Sequence, residues 1–194
     1  KTLDIYKVRK YIRDKYKTEF EYFKNKINQR YETHELNEKE KKNLISYEKL
    51  IDVRNELKIK NKNINEIKNP EDLDIVQQYF ILEWFISCVG ACRNELGDLQ
   101  YGDIEENIHD NINFIDINKK LLVLNNYKSK KRFGQYINKI PNNLIEIIKK
   151  IKKYTNNNFL LISPYKNKPM GRVNITRYIN KIFKKKYNKL ISSS

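Results

Sequence analysis

The protein has 194 residues, with 40 Lys and Arg against 24 Asp and Glu and a formal net charge of +16 at pH 7. No stretch approaches the roughly 20 uninterrupted apolar residues of a transmembrane helix, and the first residues lack the apolar region of a secretion signal. Two cysteines exclude a disulfide framework. These features favour an intracellular protein with a nucleic-acid partner. A compositional bias towards Lys, Asn and Ile is the alternative origin of the charge.

The first 40 residues predict one long amphipathic helix from Leu3 to Asn37, with at most one break. Apolar side chains recur there at three- and four-residue steps, which places them on one helix face. This stripe consists of Ile5, Val8, Ile12, Tyr16, Phe20, Phe23, Ile27 and Tyr31. Such a helix spans roughly 45–50 Å, more than a small domain covers. We expect it to dock on a protein partner, on a second copy, or on sequence outside this chain.

Two capped helices follow a charged, solvated link at residues 37–43. Ser46 is a typical N-cap and predicts a helix to about Ile59, followed by a polar loop at 61–69. Asn69 is followed by Pro70 and two acidic residues, and this pattern predicts the start of the next helix. That helix, to about Val89, has apolar residues around its whole axis and should be the central buried helix.

Period-two alternation predicts three strands, within residues 112–117, 121–124 and 135–140. Short turns join them, so we expect a three-stranded antiparallel sheet. Two further helices complete the chain, with apolar faces at Leu144–Ile151 and Ile175–Phe183. The outer face of the first is rich in lysine: Lys149, Lys150, Lys152 and Lys153. The expected fold class is α+β, mostly α.

The stretch from Cys88 to Ile104 resembles the first active-site box of the tyrosine recombinases, the phage-integrase family. In that box a catalytic Arg is followed by Glu three residues later, Leu seven later and an Asp-Ile pair eleven later. The residues that fit this spacing are Glu95, Leu99, Asp103 and Ile104. The Arg position then falls on Cys92, and Arg93 lies one place after it.

Three other motifs extend the resemblance over roughly residues 46–194. They are the segments Asn43–Glu48, Tyr127–Lys131 and Asn174–Arg177. Similar segments occur in recombinase-like proteins of large DNA viruses. The resemblance implies a recombinase-like catalytic domain at 41–194, incomplete at its C-terminus. Residues 1–40 would then be the end of a core-binding domain or a docking arm.

The family reaction implies roles for particular residues. A Tyr attacks a DNA phosphodiester, two Arg stabilise the charge on the phosphate, a Lys protonates the leaving 5′ oxygen, and a His assists. Lys128 fits the Lys, and Arg93 takes the first Arg position if the turn is one residue shorter. The His-x-x-Arg box and a Tyr after it do not occur before Ser194. We expect either a fragment of an active enzyme or a degenerate one, in each case unable to cleave DNA alone.

Seven basic residues are expected to face double-stranded DNA in this fold: Lys128, Lys130, Lys131, Arg132, Arg172, Arg177 and Lys181. A solvated charge run is the alternative interpretation. No cofactor is implied, and two Cys with two scattered His do not suggest a zinc site. The second functional hypothesis is a structural nucleic-acid-binding subunit of a larger, viral assembly, with the long helix as its interface.

Overall fold

The computed structural model describes residues 5–33, 36, 38–87 and 94–190. The chain divides into two compact units, Lys1–Leu44 and Ile45–Ser194, and the predicted division after residue 40 lies close to this boundary. The first unit contains helix α1, Ile5–Thr33, and helix α2, Glu38–Asn43. The charged link predicted at 37–43 is helical at 38–43, and its Glu38 and Lys41 side chains are exposed, as expected for a solvated segment.

The apolar stripe of α1 lies in solvent. Its described members are between 43% and 66% exposed: Val8, Ile12, Tyr16, Phe20, Phe23 and Ile27. The amphipathic pattern thus predicts the long helix that is observed, and the described side chains of its apolar stripe are exposed.

Helices α3, Tyr47–Asn63, and α4, Pro70–Ile86, begin at the predicted caps. The Ser46 hydroxyl accepts from the Lys49 amide at 3.5 Å, and the Asn69 side chain accepts from the Asp72 amide at 2.8 Å. α3 continues four residues beyond the predicted end, into the segment expected to be a loop. α4 packs against three other helices and buries residues around its whole circumference, which confirms it as the central helix.

The sheet is mixed and has four strands, so the prediction of three antiparallel strands is incomplete. Strands β2, Asn113–Asp116, β3, Leu121–Leu124, and β4, Tyr136–Lys139, pair antiparallel in that order. A two-residue strand, β1, Gln100–Tyr101, pairs parallel to β2. Two residues are too few to show a period-two pattern, which is why the sequence did not reveal this strand.

Short helices interrupt the connections around the sheet. A 3₁₀ helix, Asn94–Asp98, precedes β1, and helix α5, Ile104–Asn107, precedes β2. Helix α6, Lys130–Phe133, lies between β3 and β4. β3 and β4 therefore form a hairpin, as predicted, and its connection contains a helical turn that was not predicted.

Helices α7, Asn142–Tyr154, and α8, Arg172–Tyr187, pack on α4 through the predicted apolar faces. Lys150 differs from the prediction of an outer lysine, because it is half-buried and donates to the Asn61 carbonyl at 3.1 Å. Burial lowers its pKa. The segment between α7 and α8 is fixed by buried Gln77 of α4, whose side chain bonds both the amide and the carbonyl of Ile162, at 2.9 and 3.0 Å.

None of the helices in the described ranges has the length and apolar character that a bilayer crossing needs.

The N-terminus of α8 lies against the 3₁₀ helix through a direct backbone contact. The Gly171 amide donates to the Gly97 carbonyl at 3.0 Å. A Cβ atom on Gly97 would lie 2.9 Å from the Arg172 amide nitrogen and closer still to the Gly171 carbonyl. Only glycine therefore fits at position 97.

We predict that Gly97→Ala lowers the free energy of unfolding by about 1–3 kcal/mol, because the added methyl group forces two backbone segments apart. Chemical denaturation measures the loss. Ser129→Ala is the control, since Ser129 is exposed and its side chain makes no capping bond. A variant at position 97 as stable as the control would mean that the two segments do not touch.

Candidate nucleic-acid interface

The β3–β4 connection presents four cations on one exposed loop, residues 128–135, which we call the cationic loop. Residues 128–135 are all exposed and include Lys128, Lys130, Lys131 and Arg132, with no acidic residue between Tyr127 and Gln135. Like charges this close repel one another unless anions lie between them. The loop is therefore suited to bind a polyanion, and its four predicted basic residues are brought together.

The loop has a defined shape, because internal bonds close it at both ends. The Tyr127 hydroxyl donates to the Gly134 carbonyl at 2.9 Å, and the Gly134 amide donates to the Lys130 carbonyl at 2.7 Å. Gly134 has φ +72°, a conformation that L side chains rarely adopt. The tyrosine ring itself packs against the core. These contacts hold the cationic loop in one position relative to the sheet.

Buried Asn113 of β2 holds the two residues that lead into the cationic loop, Asn125 and Asn126, which we call the foot of the loop. Its side-chain oxygen accepts from the amides of Asn125 and Asn126, at 2.9 and 2.7 Å, and its nitrogen donates to the Asn126 carbonyl at 2.8 Å. Gln135 adds a bond to the Asn125 side chain at 2.6 Å. This network fixes where the chain leaves β3.

Arg172 joins three segments that are far apart in sequence. Its Nε atom donates to the Asp98 carboxylate of the 3₁₀ helix, and its Nη2 atom donates to the Asn126 carbonyl at 3.1 Å. Arg172 itself begins α8. The 3₁₀ helix, the start of the β3–β4 connection and the start of α8 thus meet at the guanidinium group of Arg172, whose side chain stays 36% exposed.

The other two predicted residues of α8 lie on a different face. At about 100° per residue, Arg177 lies about 140° around the helix from Arg172, and Lys181 lies near Arg177. Arg177 is exposed and bonds only weakly to the Asn174 side chain, at 3.5 Å. α8 therefore does not present all three cations on one side.

Lys181 is paired with a carboxylate. Its Nζ atom lies 3.0 Å from the Asp74 carboxylate, although its side chain is 60% exposed. The Tyr178 hydroxyl donates to the same carboxylate, and Gln78 donates to it at 2.7 Å. Burial and the negative charge of Asp74 raise the pKa of the Tyr178 hydroxyl above its ordinary value of 10.0. Tyr178 is thus a structural, protonated hydrogen-bond donor.

Arg93 and Cys92, the two candidates for the first Arg position, lie outside the described residues, as do Cys88 and His34. The positions after them in the same box are described. Leu99 is fully buried, the Asp103 side chain accepts from the Glu105 amide at 2.8 Å and caps α5, and buried Glu95 belongs to the 3₁₀ helix. These residues hold the segment that follows Arg93 against the domain.

Three residues that support this surface do not stand out in the sequence. Asp98, Asn113 and Asn126 belong to no charge pattern or periodicity, and each bonds to a partner at least 12 residues away. One signal was present for Gly97 and Gly171, since isolated glycines near a helix start often mark a close backbone approach. Within the described ranges, no three His, Cys, Asp or Glu side chains are placed to hold a metal ion.

Comparisons with protein-family models, with curated proteins and with solved structures found no match for this chain. Its function is therefore inferred from its own residues.

We predict that Tyr178→Phe lowers the free energy of unfolding by about 1.5–3 kcal/mol, the usual contribution of a hydrogen bond to a charged group. Because the pKa of Tyr178 is raised in the folded state, this contribution is complete below the unfolded pKa near 10 and declines as the pH rises above it. Denaturation of both proteins between pH 7 and 11 measures the difference.

Tyr165→Phe is the matched control, since Tyr165 is exposed and its hydroxyl lies 3.3 Å from Glu71. We expect a change below about 0.5 kcal/mol for this variant. Equal effects of the two substitutions would show that the Asp74 network does not stabilise the fold.

Proposed function

We propose that this protein binds double-stranded DNA through the β3–β4 connection and the start of α8, as a tyrosine-recombinase-like protein. The observation that carries the proposal is the junction at Arg172, where the cationic loop, the 3₁₀ helix and α8 meet. A recombinase-like site needs these segments together, because the phosphate must contact the Arg of the first box and the Lys of the hairpin at once.

The charge distribution supports DNA over a small anionic ligand. Besides the four cations of the loop, α8 carries Lys184, Lys185 and Lys186 in addition to its three predicted residues, and it contains no acid. Contacts spread over a loop and a helix of about 24 Å suit a repeating phosphate backbone. Such contacts fix the position of the protein on the duplex and impose little sequence preference.

The catalytic part of the proposal concerns two residues. Lys128 lies on the exposed loop beside the Arg172 junction, where its ammonium group is free to approach a phosphodiester. Arg93 lies four residues before Gly97 in the sequence and is the candidate for the phosphate contact. Arg provides a permanent charge and a planar pair of donors, which Cys92 does not.

We predict that binding to a fluorescent duplex weakens steeply with salt, because each phosphate contact contributes about 0.9 to the log–log slope. Lys128→Ala with Lys131→Ala should reduce the slope by about 1.8 if both contact phosphates, without lowering the melting temperature. Fluorescence anisotropy over a salt series measures the slope.

Lys149→Ala with Lys153→Ala is the matched control, because it removes the same charge from α7, where the two lysines pair with Glu146 and Glu66. We expect it to leave the slope unchanged. Binding that does not depend on salt, or equal losses in both double variants, would reject the proposed interface.

A second candidate function is assembly through α1, and the exposed apolar stripe favours it. We propose a second copy of the chain as the occupant, with the two α1 helices antiparallel. Residues 5–18 contain six basic residues and one acidic residue, against three of each in residues 19–33. An antiparallel pair places the strongly basic half of one helix beside the neutral half of the other, whereas a parallel pair stacks two basic halves.

The spacing of the stripe is compatible with this arrangement. Centred between Tyr16 and Phe20, an antiparallel pair brings Ile12 opposite Phe23 of the second copy and Val8 opposite Ile27. On the flank of the stripe, Lys15 of one helix comes near Glu19 of the other. Burying such large side chains stabilises association by roughly 1.5–3 kcal/mol each when they become fully covered.

We predict that the protein associates in a concentration-dependent way and that Tyr16→Glu with Phe20→Glu makes it monomeric, because two charges would then lie in the apolar seam. Sedimentation velocity over a concentration series measures the change. Tyr11→Glu is the control, since Tyr11 is equally exposed but lies about 140° around the helix from Tyr16. A wild-type protein that is monomeric throughout would exclude the self-pairing.

A further inference from the structure

Phe133 is an exposed aromatic ring in the middle of the cationic loop. It is 65% exposed, whereas Phe80, Phe114 and Phe183 are at most 1% exposed. It directly follows Lys130, Lys131 and Arg132 in helix α6. A large apolar side chain held in water beside three cations has no role in the core and is placed to meet a ligand that is both anionic and aromatic.

The turn that carries the Phe133 ring is held in place by a hydrogen bond. α6 ends at Phe133, and the following Gly134 has φ +72° and is held by the Tyr127 hydroxyl. The Arg132 guanidinium lies over the ring, 5.1 Å from its centroid. One face of the ring is thus covered by a cation. With 65% of the residue exposed, the ring still offers surface on which another flat group can stack.

Nucleic-acid bases are flat groups that lie between phosphates, so a ring flanked by cations matches their chemistry. In an intact duplex, both faces of a base are stacked on its neighbours, and the ring has access only to grooves and backbone. At a gap or bulge, one base face is free. Stacking of a base on an aromatic side chain is worth about 1–3 kcal/mol, whichever base it is.

We propose that Phe133 stacks on an unstacked DNA base, so that the β3–β4 connection binds duplexes with a gap or bulge in preference to intact duplexes. The cations of the loop hold the flanking phosphates, and the ring covers the free base face. This inference rests on the proposed DNA interface and adds the form of DNA that the interface prefers.

The test compares three proteins on two DNAs of equal length, one intact and one with a single-nucleotide gap. The wild-type protein should bind the gapped duplex about 5- to 160-fold more tightly, which corresponds to one stacked base. Phe133→Ala should lose this preference while its affinity for the intact duplex stays nearly unchanged. Phe133→Trp should keep the preference, because the indole ring also stacks.

Two controls separate the possible outcomes. Ile59→Ala removes another exposed apolar side chain, on α3 and outside the proposed interface, and should leave the preference in place. 2-Aminopurine opposite the gap reports stacking directly, and its fluorescence should be quenched by the wild-type protein and by the Trp variant but not by the Ala variant.

Equal affinities of the wild-type protein for both DNAs would overturn this inference and leave the proposed DNA interface intact. An equal loss of affinity for both DNAs in Phe133→Ala would do the same, because it would show a general contact and not base stacking. If the wild-type protein binds neither DNA, both the inference and the proposed function fail.

Discussion

The approach of α8 to the 3₁₀ helix is the constraint on which the candidate interface depends. Gly97 and Gly171 allow two backbone segments to touch, and this contact places Arg172 within reach of both Asp98 and the Asn126 carbonyl. The ion pair itself is partly exposed and contributes on the order of 0.2–1 kcal/mol. Its importance is geometric, since it fixes the start of α8 and the foot of the cationic loop relative to each other.

The placement of cations follows two different rules. Those of the β3–β4 connection lie together, and within the described residues no ion pair joins them to a carboxylate, so we expect a bound polyanion to stabilise them. Lys181 and Arg172 already have carboxylate partners in Asp74 and Asp98. A phosphate that binds Lys181 or Arg172 must compete with a carboxylate, which reduces the favourable free energy of phosphate binding. We therefore expect the cations of the cationic loop to provide most of the attraction to a polyanion. The paired cations, Lys181 and Arg172, should mainly fix the positions of the segments that carry them.

The two units differ in how far their apolar side chains are buried. In the unit Ile45–Ser194, the faces of α4, α7 and α8 cover one another and form a continuous core. In α1, the described side chains of the apolar stripe are 43% to 66% exposed. Contiguous exposed apolar residues often mark interaction surfaces. In the proposed self-pairing, the charge difference between the two halves of α1 would favour an antiparallel over a parallel arrangement.

The sequence by itself determined the features that depend on neighbours within one or two turns. Caps at Ser46 and Asn69, the burial of α4 and the three antiparallel strands follow from such local patterns, as does the grouping of Lys128 to Arg132. Tertiary structure alone decided the pairing of β1, which is too short for a period. It also decided that Asp74, 107 residues away, pairs with Lys181, and that Arg172 faces inward to Asp98. These contacts arise because α8 packs against both α4 and the 3₁₀ helix, and no pattern along the chain records which charges that packing brings together.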